Sequence, residues 1–407
     1  MPRRCAVPAL ALALALAALG AGRAAAQDAY RDRALRILRA VPLIDGHNDI
    51  LYAFREQLHL DSIGDVGGSQ PLLHTDIRRL RAGGVGAQFW AAYVPTDQIH
   101  QGTHPAVFAL EAVSAIRRFC GRYPATFADA RTAADIERNF KAGRISCLIG
   151  IEGGHAIENS LGALRAFFDL GVRYMTLTHS ESLDWAVSSA DTVRIDGLSP
   201  FGEAVVREMN RLGMMVDLSH VSDATMMDAL RVSTAPVIFS HSSARALAGH
   251  PRNVPDSILA MVGRQGGVVL VNFAPEFVSE ETRQYGEEWG SSGRHVRELF
   301  AAGADTATVR DSLRGWGTRA PRATLAQVAD HMDHIRRVCG RDCVGLGSDF
   351  DGISSTPVGL EDVSKFPDLL AELLRRGWSD ADVRKAVSEN VLRVMRRVEQ
   401  VAGEMGP

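Results

Sequence analysis

His47, Asp49, Glu152, His220 and His241 each stand at the carboxyl end of a short apolar run, where a cation-binding side chain interrupts the hydrophobic pattern. The runs are VPLIDGHND (41–49), ISCLIGIE (145–152), MMVDLSH (214–220) and PVIFSH (236–241), and a fifth, CVGLGSD (343–349), ends on Asp349. Runs of this length bounded by glycine or proline predict fully buried strands. In His47-x-Asp49 the side chains are two positions apart, so on a strand they point the same way and can grip one ion. Glu152 arrives on a buried strand, where a carboxylate is costly unless a cation or hydrogen bonds satisfy it. The glycines that follow, Gly153 and Gly154, allow close backbone approach there. Singly, each histidine is as readily a hydrogen-bonded core residue, and Glu152 a structural ion-pair partner. Recurrence at one level of several strands is what points to metal.

Neutral imidazole and carboxylate without cysteine suit zinc or a similar divalent ion. Five ligands exceed the three that one catalytic zinc takes from protein, and Glu152 has two oxygens with which to bridge. The set therefore predicts two zinc ions sharing Glu152. Paired ions of this kind, about 3.5–4 Å apart, hold a bridging hydroxide for hydrolytic attack. Three more residues fit that chemistry: Asp349 as a proton shuttle, His179 as a partner for a developing oxyanion, and Arg252 as a holder of a substrate carboxylate. Each has an ordinary alternative: His179 as a core histidine, Arg252 as a loop cap, and Asp351 in place of Asp349 as the acid.

To bring these residues together the chain needs a scaffold with many strand ends on one side. Three further runs, GAQFWAAY (86–93), VRYMTLTH (172–179) and GVVLVNF (267–273), bring the number to eight. Helix-forming segments lie between them, at 104–122, 160–170, 200–212, 222–231, 255–264 and 322–338. Strand then helix, repeated, gives a parallel sheet with right-handed crossovers. Eight such units predict an α/β fold, a TIM-like (β/α)8 barrel forming one domain over 27–407, with chemistry at the carboxyl ends of its strands. The stretch 275–321, rich in Glu, Gly, Arg and Ser, is expected as a long irregular connection, a lid or an insertion. Two helical segments, 361–376 and 379–400, close the chain, the first with Leu369, Leu370, Leu373 and Leu374 at core spacing.

Residues 1–26 have the form of a cleaved signal peptide: Arg3 and Arg4, an Ala/Leu run, then Ala24 to Ala26 before Gln27. The apolar run is short for a membrane span. A secreted or periplasmic enzyme is expected, with no stable membrane anchor in the mature chain. Setting aside 1–26 removes three arginines and no acid, taking the formal charge from −3 to −6. A mildly acidic body argues against nucleic acid as a partner. Four cysteines then remain. Cys147 lies inside an apolar run and is expected as a core thiol, while Cys120, Cys339 and Cys343 leave pairing open.

At these residues the sequence resembles the membrane (renal-type) dipeptidase family of zinc peptidases. The resemblance runs from about Val41 to Gln400 through DGHND (45–49), GGVGAQFW (83–90), IGIEGGHAIE (149–158), YMTLTHS (174–180), GLSPFG (197–202), DLSHVSDATM (217–226), FSHSSAR (239–245), RNVPD (252–256), GSDFDG (347–352) and GLEDVSKFPDL (359–369). It implies that His47 and Asp49 bind one zinc, His220 and His241 the other, and Glu152 bridges. It further implies that His179 contacts substrate and tetrahedral intermediate, Arg252 binds substrate, and Asp349 acts as acid and base. Dipeptides are the implied substrates, including those with a D-residue at the carboxyl side and, in some members, β-lactams; a homodimer is implied as well. Three departures stand out against mammalian members: Glu181 replaces a cysteine, the glycolipid attachment signal is missing, and Phe277 falls near a substrate-contacting tyrosine. A different binuclear-metal amidohydrolase, acting on N-acyl amino acids or β-lactams, is the rival expectation. It would normally carry His-x-His and a bridging lysine, whereas Lys141, Lys365 and Lys385 close no barrel strand. A binding protein with a purely structural zinc centre would have no use for His179, Arg252 and Asp349.

Overall fold

A computed structural model describes residues 29–58, 64–100, 102–191, 194, 196–303 and 320–406. The expected signal peptide and residues 304–319 of the 275–321 connection lie outside them. All eight apolar runs form strands, and a ninth short strand joins them. In chain order they are β1 (Leu43–Asn48), β2 (Val85–Tyr93), β3 (Phe127–Asp129), β4 (Ile145–Glu152), β5 (Val172–Thr176), β6 (Met215–Asp217), β7 (Ile238–Phe239), β8 (Val268–Val271) and β9 (Val344–Leu346). The sheet runs β2-β1-β9-β8-β7-β6-β5-β4, and β2 also pairs with β4 from Ala87↔Ser146 to Tyr93↔Glu152. Every pairing is parallel, so the eight strands close on themselves as a (β/α)8 barrel. β3 lies outside the ring and pairs with the start of β4.

Strand alternation separates two buried faces. Ile44, Phe89, Leu148, Tyr174, Met215, Ile238, Val268 and Leu270 pack in one cluster inside the barrel. Their neighbours Leu43, Trp90, Ile149, Met175, Val216, Phe239 and Val269 pack outward against the helices. Burying both faces is why these strands have continuous apolar runs rather than alternating ones. The inner cluster continues into Val391, Val394, Met395 and Val398 of the helix Asn390–Met405. Arg393 of that helix donates to the carbonyls of Gly266 and Gly267 just before β8, and Asn390 Nδ2 donates to Val344 O at the start of β9. The helix therefore floors the barrel at the amino-terminal ends of its strands and leaves the carboxyl-end mouth for the site.

Two expectations need correction. Cys147 is bonded to Cys120, tying the helix Pro105–Arg122 to β4, and Cys339 is bonded to Cys343. A half-cystine fills an apolar site as well as a thiol does, and its partner comes from a helix 27 residues earlier in sequence. The segment expected as irregular begins with helices Pro275–Val278 and Glu280–Ala301. Arg283 pairs with Glu280 at 2.6 Å and Glu287 at 2.5 Å, the i,i+3 and i,i+4 spacings that support the start of a helix. Among the described residues no helix is long and apolar enough to cross a membrane.

Candidate metal centre

The strand ends bring the predicted residues to one point. His47 is the penultimate residue of β1 and Asp49 lies just past its end, Glu152 ends β4, His220 and His241 lie just past β6 and β7, and His179 lies past β5. Glu152 stands at the centre. Its Oε2 is 3.4 Å from His47 Nε2, while its Oε1 is 3.0 Å from His220 Nε2, 3.3 Å from His241 Nε2 and 3.6 Å from His179 Nε2. The two oxygens of one carboxylate thus face two separate sets of imidazoles. On the first side His47 Nε2 is also 3.1 Å from Asp49 Oδ2. On the second, the Nε2 atoms of His220 and His241 are 3.0 Å apart. Three ligand-type groups have their atoms within 4.8 Å of one another: His47 with Glu152 and His241, Glu152 with His179 and His220, and His47 with Asp49 and Asp349.

Hydrogen bonds behind the rings set which nitrogen points inward. The Tyr174 hydroxyl donates to Gly46 O at 3.2 Å, so it accepts from His47 Nδ1–H at 2.9 Å. That leaves His47 Nε2 facing two carboxylates, and it is buried without a hydrogen-bond partner, as is Asp49 Oδ1. His47 Nε2, 3.1 Å from Asp49 Oδ2 and 3.4 Å from Glu152 Oε2, and the unpartnered Asp49 Oδ1 are buried polar atoms that a cation would satisfy. The protonation tendencies agree. Burial opposes charge on His47, yet Tyr174, Asp49 and Glu152 together raise its pKa well above the ordinary value. Burial likewise opposes charge on Glu152, but His47 and His179 beside it hold its pKa well below the carboxylate range. A positive charge is favoured here, whether proton or metal ion. His220 and His241 are pushed well down by burial and remain neutral, the form that binds metal. The donor set of imidazole nitrogen and carboxylate oxygen, without sulfur, fits a divalent ion of the zinc type.

Around this cluster opens a cleft of ≈ 510 Å³, walled by Tyr52, Tyr93, Arg252, Phe277, Asp349 and Ile353 among others. Arg252 is 7% exposed and forms no ion pair among the described residues. Its Nη1 donates to Ser242 Oγ and its Nη2 to His241 O, both at 3.2 Å, and Phe277 lies 5.3 Å from the guanidinium. Burial brings its pKa down to about 10, so it stays charged at neutral pH. A buried guanidinium held only by neutral groups suits an incoming anion. Asp349 keeps one edge open to the cleft and accepts from Asn272 Nδ2 at 2.9 Å. Its backbone is left-handed, with φ 63°, as is that of Asp351, with φ 68°. A Cβ on Gly352 would collide with Asp49 Oδ2 and come within 2.5 Å of Asp349 Oδ1, so only glycine lets these two carboxylates share the corner. Asp351 turns away to accept from His74 N at 2.6 Å. His179 is brought down to about 4 by burial and is neutral; its Nδ1 lies 2.7 Å from Ser180 Oγ.

The surrounding shell is what the sequence hides. Tyr174, Asn272, Tyr93 and Asp217 lie in the apolar runs themselves, and their part in the site comes from partners distant in sequence. Asp217 and Asn272 leave a signal, as polar residues inside the apolar runs MMVDLSH and GVVLVNF.

A closed parallel barrel with histidines and carboxylates converging at its carboxyl-end mouth defines the class: a metal-dependent barrel hydrolase. The chain belongs to the membrane dipeptidase family, peptidase family M19, whose model matches residues 31–406. It is a metallo-dipeptidase, a hydrolase acting on dipeptides. It is 41% identical over 377 residues to Dipeptidase 3 of Mus musculus, covering 91% of this chain and 67% of that protein. It is also similar to a metallo peptidase from Rhodobacter sphaeroides solved with a phosphinate mimic of the dipeptide L-Ala-D-Ala, at 27% identity and a TM-score of 0.71, covering 88% of this chain and 99% of that one. The probable dipeptidase PvdM from Pseudomonas aeruginosa, 22% identical with a TM-score of 0.78, shares the fold over 92% of this chain and 100% of its own.

Proposed function

We propose that this is a two-zinc dipeptidase in which His47 and Asp49 hold one ion, His220 and His241 hold the other, and Glu152 bridges them. The observation that carries the reading is Glu152, with Oε2 toward His47 and Oε1 toward His220 and His241. When bound, the zinc ions supply a polarised scissile carbonyl and a hydroxide nucleophile at neutral pH. His179, whose Nδ1 lies 2.7 Å from Ser180 Oγ, offers an Nε2–H to the developing oxyanion. Asp349 takes the proton released on attack and delivers it to the leaving amine, and Asn272 keeps its carboxylate aimed. Arg252 grips the carboxylate of the substrate's second residue. Substrates with a carboxyl-side D-residue belong to the same reading, supported by the L-Ala-D-Ala mimic in the Rhodobacter sphaeroides relative. The reading includes export through residues 1–26 and a single domain over 27–407.

Incubating zinc-replete protein with a panel of L,L- and L,D-dipeptides should give cleavage that a chelator abolishes and added zinc restores. Cleavage of N-acyl amino acids in place of every dipeptide would transfer the site to the rival amidohydrolase reading. Arg252→Met should raise KM for dipeptides by about 10²-fold, the loss expected for a charge-assisted pair worth roughly 2–3 kcal/mol. Dipeptide amides, lacking the carboxylate, should hardly distinguish wild type from variant; equal losses on acids and amides would remove the carboxylate-binding role.

A further inference from the structure

We propose that Asp217 is a positioning residue that fixes His241 in the tautomer able to hold a metal ion, acting through Ser240. The inference rests on the two-zinc reading above. Asp217 ends β6 and is fully buried, and no cation lies within ion-pair distance of it among the described residues. It is instead satisfied by four donors. Its Oδ1 accepts from the backbone N–H groups of Ser219 at 3.1 Å and Ser240 at 2.8 Å. Its Oδ2 accepts from the Thr176 hydroxyl and from Ser240 Oγ, the latter at 2.6 Å.

That last bond decides the geometry of the metal ligand. Ser240 has one hydroxyl hydrogen, and the 2.6 Å approach to a carboxylate oxygen requires that hydrogen to lie between them. Ser240 Oγ also lies 2.7 Å from His241 Nδ1, so toward the ring it can only accept. His241 must then carry its proton on Nδ1, and Nε2 presents a lone pair toward Glu152 Oε1 at 3.3 Å. The chain Asp217–Ser240–His241 is a carboxylate orienting a metal-binding imidazole through an intervening hydroxyl. Tyr174 does the same for His47 without a carboxylate.

Asp217→Asn inverts the chain. With its amide nitrogen in the Oδ1 position the asparagine would meet two backbone N–H donors, so the nitrogen takes the Oδ2 position and donates to Ser240 Oγ. The Ser240 hydrogen is then released toward His241 Nδ1, and the ring proton moves to Nε2, where it blocks metal. Nitrogen-15 NMR of histidine-labelled, metal-free protein reads the tautomer directly, and zinc titration with elemental analysis reads affinity and stoichiometry. In Asp217→Asn, His241 should shift to the Nε2–H form and one zinc should bind about 10- to 100-fold more weakly, the usual scale for such outer partners. Ser240→Ala should bind it with intermediate affinity, and Ser240→Thr, which keeps the hydroxyl, should match wild type. The double variant Asp217→Asn/Ser240→Ala should bind better than Asp217→Asn alone, because the misdirected hydrogen is gone. If Asp217→Asn fails to fold, the Ala and Thr variants at 240 still decide the matter. Wild-type zinc affinity with an Nδ1–H ring in Ser240→Ala, or no recovery in the double variant, overturns the role of Asp217. Wild-type protein binding fewer than two zinc ions overturns the two-zinc reading and this inference with it.

Discussion

Glu152→Gln is expected to strip the centre of both zinc ions and to lower turnover by about 10³-fold or more, since metal-based charge stabilisation contributes several kcal/mol. Its Oε2 faces His47 Nε2 and its Oε1 faces His220 and His241 Nε2. Glutamine has the same shape but must turn an N–H₂ group toward one of the two sides. Whichever side receives it meets a donor where an acceptor is needed, and the other side loses half a unit of shared negative charge. The damage is therefore not confined to one ion, unlike that of His241→Ala, which should cost one ion more than the other. Elemental analysis after dialysis against zinc-buffered solution, beside dipeptide turnover, checks this. A glutamine variant that keeps two ions at wild-type affinity would remove Glu152 from its bridging role.

Asp349→Asn should leave zinc content unchanged and lower kcat by roughly 10²- to 10⁴-fold, the range that general acid–base groups contribute. The substitution is nearly isosteric, and Asn272 can still bond to the new side chain, so folding should survive. The pH profile gives a second readout. Burial raises the Asp349 pKa to about 7, with Asp49 and Glu152 adding to the rise and His47 and Asn272 opposing it. Only the ionised carboxylate accepts a proton, so the rate should fall as pH drops through that pKa. Zinc ions beside it stabilise the carboxylate, and the midpoint of this acid limb should lie below about 7 in the loaded enzyme. In Asp349→Asn the limb should vanish. A residual activity that keeps the same limb would assign the proton transfer to another group.

The barrel and its polar mouth are legible in the sequence for one physical reason. Strands buried on both faces must be apolar throughout, so a histidine or carboxylate at the end of such a run has little reason to be there except chemistry. His47, Asp49, Glu152, His220, His241 and Asp349 all announce themselves in this way. What stays hidden depends on register between segments distant in sequence. The bond from Tyr174 to His47 spans 127 residues, and that from Asn272 to Asp349 spans 77. Tyr174 breaks no local pattern, and Asn272, polar within GVVLVNF, gives no sign of its partner. Cys147 is hidden for the opposite reason, since it obeys the local pattern too well: a sulfur in an apolar strand looks the same bonded or free. The helix Glu280–Ala301 escapes because its start, held by charge pairs at 280, 283 and 287, lies in a stretch whose Glu, Gly, Arg and Ser content reads as a connection.

The floor of the barrel has a consequence for how the protein can be altered. Val394, Met395 and Val398 seal the end opposite the ligand cluster, in the same inner cluster as Ile44 and Leu148 but without contact with the polar mouth. Many enzymes resist stabilisation because their reactive corner is itself the weak point of the structure. Here the two demands fall on different ends of one cylinder. Thermal tolerance can be adjusted by repacking the floor while the reactive mouth keeps its shape, which makes Asn390–Met405 the natural place to begin hardening the molecule for use as a catalyst.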